Sequence, residues 1–211
     1  MKILEIRSLA IPDVKVVRYA RFCDDRGYFT ETFRKSDFSA HADAACFQGV
    51  EFKQCNESYS RAGVVRGLHF QWNPNQGKMV RTIAGHIIDL ALDIRKGSPT
   101  FGKIIAYDLP ASPDVAWGAW IWLPPGFAHC ACMLENSTIA YFCSAEYAPG
   151  NETGISPLAT DLDWSLCDPA LKDQYDRTLA SALLSPKDRD ALSLADWCKD
   201  PRSEYFVYGK C

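Results

Sequence analysis

The chain has 211 residues, a formal net charge of -3, 47% hydrophobic residues and 23% charged residues. These values are typical of a globular protein and exclude disordered, collagenous and coiled-coil chains. The slight negative charge disfavours nucleic-acid and anionic-membrane partners, because both attract a basic surface. Nine cysteines without a C-x-x-C pair fit neither a closed disulfide framework nor a zinc ribbon. Because Glu5 and Arg7 interrupt any apolar signal segment, we expect reduced thiols and a cytoplasmic location.

Short alternating apolar runs between Gly, Pro, Asn and Asp predict β-strands through the first part of the chain. Ile88–Ile94 is the clearest, because its Ile and Leu residues share one face while Asp89, Ala91 and Asp93 share the other. Further strands are predicted at Gly63–Phe70, Met79–Ile83, Lys103–Leu109, Ala119–Leu123 and Ile139–Ser144. Many short strands at this spacing predict an all-β sandwich or barrel.

From about Leu166 the pattern changes to Leu and Ala at helical spacing. Ser185 is the expected N-cap of a helix, with Pro186 at the first position and Asp188 closing a capping box. We expect that helix to run to about Cys198. The sequence thus predicts one domain, in which a β-barrel of residues 1–165 carries a helical appendage of residues 166–211.

A row of polar side chains occupies one face of a predicted strand: Gln54, Asn56, Ser58 and Ser60. Such a row is either a solvated sheet surface or the hydrogen-bonding wall of a site for a polyhydroxylated ligand, and the pattern alone leaves both open. No G-x-G-x-x-G, Walker or G-x-S-x-G motif occurs, so dinucleotide-binding, P-loop and serine-hydrolase sites are unsupported.

Characteristic motifs follow one another in order over roughly residues 22–164. They are Asp25–Phe33, Gln54–Ser60, Gly63–Gln71, Gln76–Arg81, Asp93–Gly102, Pro125–His129 and Tyr141–Pro149. In order and spacing they resemble the dTDP-4-dehydrorhamnose 3,5-epimerase family. The resemblance implies a cupin-type double-stranded β-helix, or jelly-roll barrel, that forms a homodimer and works without a cofactor. It also implies a nucleotide-diphosphate 4-keto-6-deoxyhexose as substrate.

Inversion at the carbons beside a C4 ketone needs a base on one face, an acid on the other and a group that stabilises the enolate oxygen. The resemblance implies that His69 is the base, Tyr141 the opposing acid and Lys78 the cation near O4. Asp188 lies in a Leu-Ser-x-Lys-Asp motif and is implied to orient His69 through its far ring nitrogen. Its capping role remains an alternative, and the two roles can coexist.

The resemblance also implies a set of residues that contact the nucleotide, the diphosphate or the sugar. They are Arg26, Phe29, Glu31, Gln54, Asn56, Arg66, His129 and Tyr147. The chain departs from the family pattern at Cys130 and Ala131, where Gly and Phe are usual, and we expect this change to reshape the pocket. About ten extra residues between Trp164 and Leu184 must loop out for Asp188 to reach His69.

Three alternatives remain. The first is a monofunctional 3- or 5-epimerase acting on another nucleotide-linked deoxysugar. The second is a non-catalytic cupin that binds sugar nucleotides, and the third is a metal-dependent cupin. For the third, His69 and His129 supply one imidazole per motif, which is too few for a three- or four-ligand site, so no metal is expected.

Overall fold

The structure, a computed structural model, describes residues 1–210 apart from the side chain of Ser39. The strands are β1 (Ile3–Ser8), β2 (Lys15–Ala20), β3 (Phe22–Asp24), β4 (Gly27–Phe29), β5 (Gln54–Ser60), β6 (Val65–Gln71), β7 (Lys78–Ala84), β8 (His86–Asp93), β9 (Ile104–Pro110), β10 (Trp117–Leu123), β11 (Phe127–Met133), β12 (Ser137–Cys143) and β13 (Glu152–Gly154). The helices are α1 (Lys35–Ala40), α2 (Pro169–Leu179), α3 (Pro186–Arg189) and α4 (Leu194–Lys199), with 3-10 turns at Ala44–Phe47 and Pro201–Tyr205.

Two antiparallel sheets form the body of the protein. One has six strands in the order β1-β2-β10-β7-β12-β5, and the other has five in the order β13-β6-β11-β8-β9. The hairpin of β3 and β4 forms a separate two-stranded sheet. This arrangement confirms the predicted mainly-β class, although the strands lie in separate sheets instead of one closed ring.

The apolar core between the two sheets contains residues of both, among them Val80 and Ile121 from the six-stranded sheet and Ile87 and Ala91 from the five-stranded sheet. A second core covers the outer face of the five-stranded sheet. There Leu90 and its alternate neighbours on β8 pack under residues of the C-terminal segment. Both faces of β8 are therefore buried, which places its aspartates inside the protein and away from water.

Where the sequence predicted one helix after Ser185, the structure has two short helices, α3 and α4. Ser185 caps α3 by accepting a hydrogen bond from the backbone N–H of Asp188 at 3.1 Å, but the helix ends at Arg189. The prediction of a continuous helix to Cys198 is wrong because Leu192 forms a β-bridge with Ile155, which requires extended backbone. No helix within residues 1–210 has the length and apolar character needed to cross a membrane.

Candidate active site

A cleft of about 500 Å³ opens between the two sheets at the edge of the inner core. Its lining comprises Gln54, Asn56, Glu57, Ser58, Arg66, His69, Gln76, Lys78, His129, Ala131, Ile139, Tyr141, Tyr147 and Glu152. Three residues of the predicted polar row, Gln54, Asn56 and Ser58, thus line the cleft, whereas Cys55 and Tyr59 on the same strand are exposed. Of the two readings left open by the pattern, the structure supports the hydrogen-bonding wall.

His69 and Asp188 form a close pair on one wall. The His69 Nε2 atom lies 2.5 Å from Asp188 Oδ1, although 119 residues separate them in the chain. A carboxylate only accepts hydrogen bonds, so Nε2 carries the hydrogen, and in the neutral imidazole Nδ1 keeps the lone pair. Burial acts to raise the pKa of Asp188, but the hydrogen bond and charge of His69 outweigh it and hold that pKa below its ordinary value. The carboxylate therefore stays ionised and ready to stabilise a His69 imidazolium.

The capping-box prediction for Asp188 needs correction. Its backbone N–H bonds to the Ser185 hydroxyl, as predicted, but its carboxylate turns to His69 instead of closing the box. The first turn of α3 therefore fixes the position of Asp188 while leaving its side chain for the cleft.

Tyr141 and Lys78 lie on the opposite wall, because β12 and β7 are neighbours in the six-stranded sheet. Burial lowers the pKa of the Lys78 ammonium, which donates to the backbone oxygen of His69 at 3.4 Å. Burial raises the pKa of Tyr141, so its phenol remains protonated at neutral pH and can donate a proton. A ligand between the sheets would thus lie between the imidazole of His69 on one wall and the protonated phenol of Tyr141 on the other.

Hydrogen bonds organise the polar row and the rim. Gln54 donates from Nε2 to Asn56 Oδ1 at 2.9 Å and accepts from the backbone N–H of Tyr147 at 2.8 Å. Tyr147 itself is 55% exposed at the mouth of the cleft. Arg66 is also exposed, and its Nε donates to Ser60 Oγ at 2.7 Å. The rim thus holds an exposed aromatic ring and a guanidinium.

Three of the residues expected at the substrate lie away from this cleft. Arg26 is on the β3–β4 hairpin, paired with Asp24 at 2.6 Å, and Phe29 on the same hairpin is 69% exposed. Glu31 bonds to the N-terminal amine of Met1 at 2.7 Å. Within a single chain, therefore, the structure does not bring these three to the other predicted site residues.

Sequence reasoning missed two contributors. Asp89 is fully buried and accepts a hydrogen bond from His129 Nε2 at 2.7 Å. The sequence signal that could have identified it is a carboxylate within an otherwise apolar strand. Lys187 precedes Asp188 and forms an ion pair at 2.6 Å with Glu152, which lines the cleft.

Cys130 and Ala131 stand where the family pattern has Gly and Phe, and only one of the two lines the cleft. Cys130 points away from the cleft and is buried in the core beneath the C-terminal segment. Ala131 faces the other way and lines the cleft. The extra segment forms α2, which packs on this same face through buried Tyr175 and leaves Asp188 free to reach His69.

A separate cleft of about 600 Å³ lies between α1 and the segment Gln48–Lys53. Its lining has four phenylalanines together with Lys35, Glu51 and Lys53, and no histidine or tyrosine. Within residues 1–210, no three His, Cys, Asp or Glu side chains are grouped so as to hold a metal ion. Of these two clefts, the one between the sheets is therefore the one that contains histidine and tyrosine side chains.

A mainly-β, cupin-type fold with an imidazole and a phenol on opposite walls of one cleft fits the class of sugar epimerases, which are isomerases. The chain belongs to the dTDP-4-dehydrorhamnose 3,5-epimerase family, whose model matches residues 8–196. It is 40% identical over 196 residues to the dTDP-4-dehydrorhamnose 3,5-epimerase of Pseudomonas aeruginosa, covering 92% of this chain and 97% of that one.

Two solved structures are similar over most of the chain. One is a dTDP-6-deoxy-D-glucose-3,5-epimerase from Legionella pneumophila in complex with dTDP-4-keto-L-rhamnose, with a TM-score of 0.76, 32% identity and coverage of 96% of this chain and 97% of that one. The other is a 3'-monoepimerase from Streptomyces bikiniensis in complex with dTDP-quinovose, with a TM-score of 0.73, 27% identity and coverage of 92% and 89%. The family, the cupin-type fold and the epimerase class predicted from the sequence are confirmed.

Proposed function

We propose that this enzyme inverts C3 and C5 of a dTDP-linked 4-keto-6-deoxyhexose, with the residues of the cleft in the roles that follow. The observation that supports this most directly is the His69–Asp188 pair, which faces Tyr141 and Lys78 across one cleft. The relative solved with dTDP-4-keto-L-rhamnose supports the substrate class.

His69 Nδ1 removes the proton from the carbon beside the ketone, and the C–H electron pair moves into an enolate. Asp188 stabilises the resulting imidazolium, as the carboxylate does in a hydrolase triad. The Lys78 ammonium stabilises the developing charge on O4. Tyr141 then delivers its hydroxyl proton to the same carbon from the opposite face, and inversion results.

The nucleotide end of the substrate lies at the rim. Arg66 pairs with the diphosphate through its planar guanidinium, and the exposed ring of Tyr147 stacks on the base. Gln54, Asn56 and His129 hydrogen-bond to sugar and diphosphate oxygens. No step of this proposed reaction requires a cofactor, because only protons are transferred.

Solvent deuterium exchange tests the proposal. With dTDP-4-keto-6-deoxyglucose in D₂O, NMR is expected to show deuterium entering C3 and C5, and H69N is expected to abolish both signals. His86 offers a matched control, because it forms a similar pair with Asp108 at 2.5 Å outside the cleft. H86N is expected to keep full activity. Absence of exchange with this and other nucleotide-linked ketosugars would refute the function and leave a non-catalytic binding protein.

A monofunctional enzyme is the second candidate. It is favoured by the similarity to the Streptomyces bikiniensis 3'-monoepimerase and by the small Ala131 in the cleft wall. Deuterium entering only one of the two carbons would select it over the bifunctional enzyme.

The active form is a homodimer in which the β3–β4 hairpin of one chain completes the cleft of the other. Phe22, Tyr28 and Phe29 are all more than 40% exposed, and such an aromatic hairpin favours a protein partner. Mixed subunits test this: H69N and the double variant R26A/F29A are each expected to be nearly inactive. Mixing them is expected to restore about a quarter of the wild-type rate, because one site in each mixed dimer is intact. No recovery after subunit exchange would contradict a shared site.

The enzyme's proposed location is the cytoplasm. The eight described cysteines are all free thiols, as expected in a reducing compartment. A fluorescent fusion or cell fractionation would check this assignment.

A further inference from the structure

Gln76 is a buried glutamine in the wall of the cleft, and it is 8% exposed. Its Nε2 donates to the backbone oxygen of Ala145 at 2.8 Å, in the segment that follows β12. This bond turns the amide nitrogen toward the protein and leaves Oε1 as the acceptor for a ligand. Among residues 1–210, no group donates a hydrogen bond to that oxygen. A buried amide oxygen without a donor is costly, so a ligand that fills the cleft has to supply one.

Gln71 shows how a purely structural glutamine is bonded in the same region. Its Nε2 donates to the backbone oxygens of Pro74 and Glu146 at 3.1 and 3.0 Å. Its Oε1 accepts from the backbone N–H of Ala148 at 2.9 Å. Both ends of this amide are satisfied within the chain. The two glutamines therefore anchor the same segment after β12, but Gln76 alone of the two keeps an acceptor for a ligand.

Gln76 and Lys78 stand two residues apart where the chain enters β7, and both line the cleft. At that spacing in a strand, two side chains share a face and their Cα atoms are about 6.6 Å apart. The long side chains can therefore meet neighbouring atoms of one sugar ring. Because the proposed reaction places the Lys78 ammonium at the ketone oxygen O4, Gln76 faces a substituent of C3 or of C5.

The two carbons beside the ketone differ in hydrogen-bonding character. C3 carries a hydroxyl group, which can donate, whereas C5 carries a methyl group and the ring oxygen, which cannot. We propose that Gln76 is a specificity-determining residue whose Oε1 accepts a hydrogen bond from the C3 hydroxyl of the ketosugar. The inference rests on the proposed function, which supplies the substrate class. The contact fixes the orientation of the ring, with C3 on the Gln76 side of Lys78 and C5 on the other side.

Deuterium exchange at C5, measured with two substrates, tests the proposal. One substrate is dTDP-4-keto-6-deoxyglucose, and the other is its 3-deoxy analogue, which lacks only the C3 hydroxyl. C5 is the carbon to follow because it lies across the ketone from the missing group. Wild type is expected to favour the hydroxylated substrate in kcat/KM by about 10–100-fold, because the analogue leaves Oε1 unpaired. Q76M keeps the length of the side chain and removes the acceptor, and it is expected to reduce that preference to within about threefold.

The ratio of two substrates on one preparation does not depend on the folded fraction, so a less stable Q76M still gives a result. Q71M is the matched control, expected to destabilise the same segment and to keep the wild-type preference. If Q76M gives no folded protein, the wild-type preference decides, and a value below about threefold would overturn the proposal.

An unchanged preference in Q76M, or equal losses with both substrates, would also overturn the proposal and leave Gln76 as an anchor of the segment after β12. If wild type exchanges C3 alone, both preferences are measured at C3, because dividing one by the other cancels the intrinsic reactivity of each substrate. Wild-type exchange at neither carbon of the hydroxylated substrate would instead refute the proposed function itself.

Discussion

Replacing Asp188 with asparagine separates catalysis from stability. The substitution keeps the side chain's size and leaves the backbone N–H that bonds to Ser185, so the cap of α3 survives. It removes the charge that stabilises the His69 imidazolium, and an amide can turn its NH₂ group toward Nε2 and favour the wrong tautomer. The perturbation therefore acts chiefly through His69.

The expected loss of turnover is about 10³-fold, or ~4 kcal/mol at 1.36 kcal/mol per decade of rate. The expected loss of stability is far smaller, at about 1–2 kcal/mol, because one hydrogen bond to a partly exposed ring is weakened. For a chain of this length, that corresponds to a fall in Tm of roughly 2–8 °C. Turnover is measured by NMR of C3 and C5 inversion, and stability by thermal denaturation.

Ser185→Ala is the matched control. It removes the cap of the same helix, costs about 1 kcal/mol and is expected to leave turnover within about threefold of wild type. If D188N and S185A lowered turnover and Tm in the same proportion, Asp188 would be a structural residue and the assignment of the dyad would be wrong.

The difference in stability between wild type and D188N also depends on pH in a defined way. The pKa of Asp188 is lower in the folded protein than its ordinary value, so its stabilising contribution is complete above pH ~4. It is lost as pH falls through the folded pKa. The free energies of unfolding of wild type and D188N, measured across pH 2–7, are thus expected to converge at the acidic end. A constant difference would contradict this view of the His69–Asp188 pair.

Three other predictions concern the cleft. K78M is expected to lower turnover about 10²–10³-fold yet to match or exceed wild type in Tm, because burial lowers the pKa of Lys78 and makes its charge costly. That gain in Tm is expected to shrink as pH rises from the pKa of Lys78 in the folded protein toward the ordinary lysine pKa. A Tm of K78M below that of wild type at neutral pH would refute the cost assigned to the buried charge. Y141F is expected to keep deuterium exchange through His69 while losing inversion by at least about 10²-fold, and equal loss of both would contradict its role as the opposing acid. G67A is expected to destabilise the fold by roughly 2–3 kcal/mol and to shift His129, because a Cβ there would lie 2.5 Å from the His129 carbonyl oxygen; an unchanged urea midpoint would rule this out.

Local pattern was sufficient for about half of the strands. The alternation in Ile88–Ile94 predicted β8, and the structure extends it only to His86 at its start and shortens it to Asp93 at its end. β11 was not predicted, because every residue from Phe127 to Met133 is buried and no alternation marks the strand. A fully buried strand cannot be distinguished from other apolar runs by periodicity alone.

The sequence by itself determined the class, the family motifs and which residues share a strand face. Only the tertiary structure decided which faces meet. It placed Asp188 on His69 across 119 residues and paired Asp89 with His129. It also turned Cys130 away from the cleft into the core, while Ala131 lines the cleft. The physical reason is that the period of two sets the face of each side chain locally, whereas strand order and long-range docking set what that face contacts.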